Sequence, residues 1–138
     1  MTLFESLKLF VLANGPLAAK LPGGVFPQYI PQSPVLPLLV IRLISGTSEA
    51  QTHDNGASPW SRVRVECTIY GADFKSQEQA IMLLDGLFSP FQGYLGGSTN
   101  GFFSTNRIDG PRSIQDPSTR LVGIQLDIIG MLKRDTLS

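Results

Sequence analysis

The chain has 138 residues, of which 11 are Lys or Arg and 11 are Asp or Glu, with 42% apolar and 16% charged residues. That length fits one domain, able to bury roughly two-thirds of the surface its unfolded chain exposes without a metal or disulfide staple. The absence of a basic excess argues against nucleic-acid binding as the main task, and the single cysteine, Cys67, excludes an intrachain disulfide.

The start, Met1 to Glu5, has no basic segment and carries an acid at once, so no secretory signal is expected. The strongly apolar run 36–44 is broken by Pro37 and Arg42 and is too short for a membrane span. A cytosolic, soluble protein is the expectation, and one cysteine is consistent with a reducing compartment.

The first element reads as a helix. Thr2 and Glu5 have capping-box spacing, and Leu3, Leu7, Phe10 and Val11 fall on one helical face. Asn14-Gly15-Pro16 ends it, with room for one more turn over 17–21 before Pro22-Gly23-Gly24. Pro27, Pro31, Pro34 and Pro37 then exclude a helix and predict an extended connector.

Residues 38–45 predict a strand with Leu39, Ile41 and Leu43 on one face and Leu38, Val40, Arg42 and Ile44 on the other. Both faces are mostly apolar, so this strand is placed centrally in a sheet. From 46 to 59 no large apolar residue occurs, and Asn55-Gly56 is a turn signal, so a protruding polar hairpin or loop is expected there. Residues 60–70 are the most regular strand. Val63, Val65, Cys67 and Ile69 alternate with Arg62, Arg64, Glu66, Thr68 and Tyr70, which predicts one buried and one polar face.

A second helix enters through Asp73 or Ser76 and carries Ala80, Ile81, Leu84, Leu87 and Phe88 as its apolar stripe. Residues 93–101 form a glycine-rich loop, 102–106 and 107–109 two short strands, and Asp109-Gly110-Pro111 and Asp116-Pro117 turns. A last strand over 120–131 places Val122, Ile124, Leu126 and Ile128 inward, with Gln125 and Asp127 outward. The order gives an α+β fold: an antiparallel sheet of about four to five strands, with two main helices packed on one face. The whole of 1–138 is read as a single domain.

Chemistry is sparse. His53 is the only histidine and sits in the polar segment beside Asp54, while the remaining soft ligand, Cys67, is in register with buried strand positions. The glycine-rich loop lacks a lysine and leads into strand, which does not make a phosphate cradle. No nucleophile elbow, paired cysteines or acidic cluster with metal spacing occurs. No catalytic, metal or cofactor residue is therefore expected, and no cofactor. Arg62 and Arg64 share a face with Glu66, with Arg42 as a further member, which reads as a solvated sheet face or as a contact surface for a neighbouring subunit or partner, while direct DNA contact is weakened by Glu66 and the neutral total.

The sequence also carries a pattern in short blocks. An N-terminal helix leads to Gly23-Gly24-Val25-Phe26-Pro27, Pro37-Leu38-Leu39-Val40-Ile41 and Ser45-Gly46-Thr47. Trp60-Ser61-Arg62-Val63-Arg64-Val65-Glu66-Cys67-Thr68-Ile69-Tyr70 follows, and after a helix the run from Asp116-Pro117-Ser118-Thr119-Arg120 to Ile128. In order and spacing, over nearly the whole chain, this resembles the tail-completion family of long-tailed bacteriophages, also called tail-terminator or tail-to-head joining proteins. The glycine-rich segment and the proline-rich connector depart from that pattern.

The resemblance implies a non-enzymatic virion protein that assembles in the host cytoplasm as a homohexameric ring. The ring would cap the tail-tube protein, stop tube growth and dock a head-completion or connector protein, with DNA only as passing cargo and no membrane partner. A cyclic ring needs a heterologous interface that closes on itself. Candidate contact residues are Thr47, Glu49, His53 and Asp54 in the polar segment, Arg62 and Arg64 on the strand, and the aromatics Trp60, Tyr94, Phe102 and Phe103. Another neck or connector protein of the virion, or a small protein-binding module unrelated to phage tails, are the competing readings.

Overall fold

The computed structural model describes residues 3–48, 60–71, 73–89, 91–95 and 102–133, with the backbone alone at 45–48 and 60. The elements are α1 (Leu3–Leu12), α2 (Gly15–Ala19), β1 (Val25–Pro27), β2 (Leu38–Ser48), β3 (Trp60–Tyr70), α3 (Phe74–Phe88), β4 (Gln92–Tyr94), β5 (Phe102–Gln115) and β6 (Val122–Lys133). The α+β expectation agrees with this order, but the described sheet has six strands instead of four to five, in the order β1-β2-β3-β6-β5-β4. The two extra strands are three-residue edge pieces, β1 and β4. The sheet is also mixed, because β1 runs parallel to β2. Pro27 fits there because an edge strand has one side free of ladder hydrogen bonds.

Local chemistry accounts for the helices. Asn14 caps α2 by accepting a hydrogen bond from the Leu17 N–H at 2.9 Å, so the residue that stops α1 also starts the next turn. Asp73 is the cap of α3, its Oδ1 accepting from the Ser76 N–H at 2.8 Å. All three helices lie against one face of the sheet. Leu7, Val11 and Leu17 from α1 and α2, and Ala80, Ile81, Leu84 and Phe88 from α3, join the strand residues Leu39, Ile41, Val65, Cys67, Ile69, Ile124, Leu126 and Ile128 in one buried cluster. Phe10 and Phe88 meet edge-on at 5.2 Å between centroids, which ties α1 to α3.

The alternation read for β2 and β3 holds on the helix side, where Leu39, Ile41, Val63, Val65, Cys67 and Ile69 are buried together, and β3 pairs antiparallel with β2 on one side and with β6 on the other. Val122 is the exception on β6. It begins the strand at the rim of the sheet and is 50% exposed, not inward. β5 corrects the reading of two short strands and a turn. It is one 14-residue strand, and Gly110-Pro111 forms a bulge in it, two residues opposite the single Leu126 between Asp127 and Gln125. Gly110 has φ +110, and a Cβ there would stand 3.0 Å from the Gln125 carbonyl oxygen, so glycine fits this position where other residues would be strained.

The second face of the sheet is not simply solvated. At one end Leu38, Val40 and Tyr70 are buried beneath Phe26, Ile30, Leu36, Ile114 and Leu121, so the proline-rich connector covers part of it. Thr68, Gln125 and Asp127, all expected to face water, are buried.

Candidate subunit and partner interface

Directly opposed residues in a sheet share a face, so the strand register builds the second face row by row. One row is Arg42, Glu66, Asp127 and Asp109, across β2, β3, β6 and β5. The next is Ile44, Arg64, Ile129 and Arg107, and beyond it Arg62 faces Met131. The last places Trp60, Lys133, Phe102 and Tyr94 side by side. With Arg112 opposite Gln125, the face gathers five arginines and Lys133 against Glu66, Asp109 and Asp127, a local net charge of +3 in a chain whose total is zero.

Asp127 organises the centre. Its side chain is fully buried, and its Oδ2 accepts from Arg64 Nη2 at 2.5 Å and Arg112 Nη2 at 2.8 Å, while Oδ1 accepts from Gln125 Nε2 at 3.1 Å. Burial pushes this carboxyl up, but the hydrogen bonds from Arg112, Gln125 and Arg64 outweigh it and hold the group below the usual carboxylate range. The two arginines remain 47% and 44% exposed, so their outer edges still face solvent. Around this knot, Arg42 and Glu66 approach to 3.6 Å, and Arg107 and Asp109 to 3.3 Å.

Beside the knot lies a cavity of about 210 Å³ bounded by Tyr29, Val40, Arg42, Tyr70, Asp116 and Thr119. Burial, and then the nearby Asp116 carboxylate, raise the Tyr70 phenol above its ordinary pKa. Asp116 is committed to its turn, accepting from the Ser118 and Thr119 N–H groups at 3.1 and 2.8 Å. Cys67 is buried in the core, and burial raises its thiol so far that no thiolate forms near neutral pH.

Among the described residues no three of His, Cys, Asp and Glu come together as a metal site. No described helix is long and apolar enough to cross a membrane.

The sequence-derived contact residues separate into three groups. Arg62 and Arg64 lie exposed on the second face, and Tyr94, 46% exposed, packs edge-on against Phe102 at 5.3 Å at its rim. Thr47 is on β2 opposite Arg62, and Trp60 opens β3 opposite Lys133, so the register places both residues along the same margin. Glu49, His53 and Asp54, with most of the polar 46–59 segment, lie outside the described residues.

Phe103 is a correction: it is fully buried in the helix-side core, 6.2 Å from Phe88 between centroids, because it is one residue out of phase with Phe102. The reading missed Arg107, Arg112 and Asp127. The signal for them was available only through pairing, since β5 and β6 had to be set in register before the charges met.

No family model matches the chain, and no curated protein matches it. Among solved structures, the fold is similar to that of a chain in "Virion of native gene transfer agent (GTA) particle", at 13% sequence identity and a TM-score of 0.55. The match covers 95% of this chain and 91% of that one, so the likeness in fold extends over nearly the whole of both chains and not over a shared fragment.

Proposed function

We propose that this chain is a non-enzymatic structural subunit of a phage-type virion, and within it a tail-completion protein. Its copies form a six-fold ring that ends the tail tube and presents a docking surface for the head side. The observation that carries this reading is the whole-chain likeness in fold to a component of a virion particle. The ordered sequence blocks that resemble the tail-completion family agree with it, from Gly23-Gly24-Val25-Phe26-Pro27 to the β6 run. A sheet face set with paired arginines, apolar side chains and rim aromatics has the composition of a protein contact.

Purified protein tests the reading through light scattering and negative-stain images, alone and with tail tubes. Ring-sized particles, or a monomer that becomes a ring at tube ends and stops their elongation, are expected. A protein that never self-associates and never binds tube ends overturns it. Binding to a head connector alone, without tubes, would transfer the chain to the neck.

A further inference from the structure

We propose that two opposite surfaces of this chain dock on each other between copies: the outward stripe of α3 of one copy against the arginine face of the sheet of the next. This rests on the ring reading above and names the contact that would build it.

Among the described residues, the outward side chains of α3 lie outside the buried core. Ala80, Ile81, Leu84 and Phe88 point to the core, which turns Phe74, Glu78 and Met82 outward at i, i+4 and i+8. Phe74 is 63% exposed and Met82 67% exposed, one turn either side of an exposed carboxylate. Scattered apolar residues on a surface mean little, but two large ones flanking an acid on one helical line make an amphipathic contact stripe. The sheet face offers the complement. Arg62 and Arg107 are exposed there, with the half-buried Ile129 and Met131 beside them. Acid meets arginine and apolar meets apolar, which sets orientation as well as attraction.

The free strand edges are poorer candidates. Beyond Ile41 on β2 and beyond Thr105 on β5 no described strand pairs on the outer side, yet both stretches carry bulges, and β5 adds Pro111 with charged neighbours. Those features blunt an edge against strand addition. The helix stripe and the arginine face, by contrast, lie on opposite sides of the sheet. Contact between them cannot form a two-fold dimer and must either close into a ring or continue.

Two charge reversals, Glu78→Arg and Arg62→Glu, test the contact, each made alone at an exposed position and checked for folding by circular dichroism. Arg107→Glu replaces Arg62→Glu should the latter not fold. Each variant alone is expected to assemble at least tenfold more weakly than the wild type by light scattering. An equimolar mixture of the two is expected to recover assembly, because every contact then joins either two intact surfaces or two reversed ones. If either variant forms rings as the wild type does, or if the mixture stays as weak as its components, the pairing is overturned while the ring reading stands. Wild-type protein that stays monomeric even with tail tubes overturns both.

Discussion

Gly130 lies directly under the ring of Phe103: a Cβ on the glycine would fall 2.6 Å from Phe103 Cζ and 2.5 Å from the Ser104 carbonyl oxygen. The missing side chain of β6 is what lets the aromatic of β5 enter the core against Phe88. Both sides of this fit are open to measurement. Phe103→Ala should cost about 3–5 kcal/mol, the usual cost of emptying a buried aromatic site. Gly130→Ala should cost roughly 1–3 kcal/mol although it adds only a methyl, because backbone as well as side chain must give way. Denaturant unfolding of both variants checks this. An unchanged midpoint for Gly130→Ala would show that the two strands can separate at that point without loss.

Asp127 joins strands that are distant in sequence, through Arg64 on β3 and Arg112 on β5. Removing it leaves two guanidinium groups that can still reach water on their exposed sides, so the loss should fall below the full cost of an orphaned buried charge. Asp127→Ala is expected to destabilise by about 2–4 kcal/mol. Arg64→Ala alone should cost less, since Arg112 and Gln125 continue to hold the carboxylate.

The same group predicts a pH dependence. Its native pKa is lowered relative to the unfolded chain, so its contribution is complete above the unfolded value of about 4 and is lost as pH falls through the lower native value. Arg64, Arg112 and Gln125 contact the carboxylate, and Glu66 and Asp109 flank it in the row. Asp73 and Asp116 are also lowered, by hydrogen bonds chiefly from Ser76 and Thr119, so acid weakens the fold at three places. The Asp127→Asn variant isolates one of them. Its stability should fall less steeply than that of the wild type between about pH 5 and 3, and parallel curves would remove Asp127 from the acid response.

How much of this was legible in the sequence depends on whether the signal was local. The alternation along 60–70 gives the β3 register directly, and Val63, Val65, Cys67 and Ile69 are buried as it predicts. Periodicity assigns a residue to a side of the sheet, however, and does not say what covers that side. Thr68, Gln125 and Asp127 are on the expected side and are nevertheless buried: Arg64 and Arg112 from neighbouring strands close over Asp127, Gln125 donates to it, and Thr68 pairs with Val40 at the end that the connector covers. Gly110-Pro111 has the composition of a turn and becomes a bulge, because β6 is long enough to pair on both sides of it. The edge strands β1 and β4, three residues each, are too short for any period to register.

That difference changes an expectation at Thr68. Read from alternation alone, Thr68→Asp would be tolerated, whereas Val65→Asp and Ile124→Asp would abolish soluble protein. With Thr68 buried and its Cγ2 close to Gly123, a carboxylate there also loses water; its direct neighbours on the row, Val40 and Gln125, are uncharged, and Arg112 beyond Gln125 is already bound to Asp127. All three substitutions should therefore be severe, several kcal/mol each, against a total stability of about 5–15. Expression and soluble yield of the three variants decide between the two views. Wild-type yield for Thr68→Asp would mean that the second face is open to water at that row.

The last prediction concerns the joint between α3 and the sheet. Gln77 is a buried polar residue on the first turns of α3, and its Nε2 donates to the Gly71 carbonyl at 3.1 Å and the Val122 carbonyl at 2.9 Å. One amide thus closes the end of β3 and the start of β6 onto the helix, at the place where the chain leaves one and enters the other. Gln77→Met keeps the length of the side chain and removes both donors. Val122 is half exposed and Gly71 partly exposed, so neither acceptor is expected to bear the full cost of a buried unpaired carbonyl. The cost should be about 1–2 kcal/mol, which for a chain of this size lowers the melting temperature by roughly 3–8 °C. The outward residues of α3 are not altered by this change, so the variant should assemble as the wild type does well below its melting temperature. A variant that melts normally would show that the double hydrogen bond contributes nothing net. One that melts as expected but fails to assemble when folded would show that the docking surface depends on how α3 is seated, and not on its outward side chains alone.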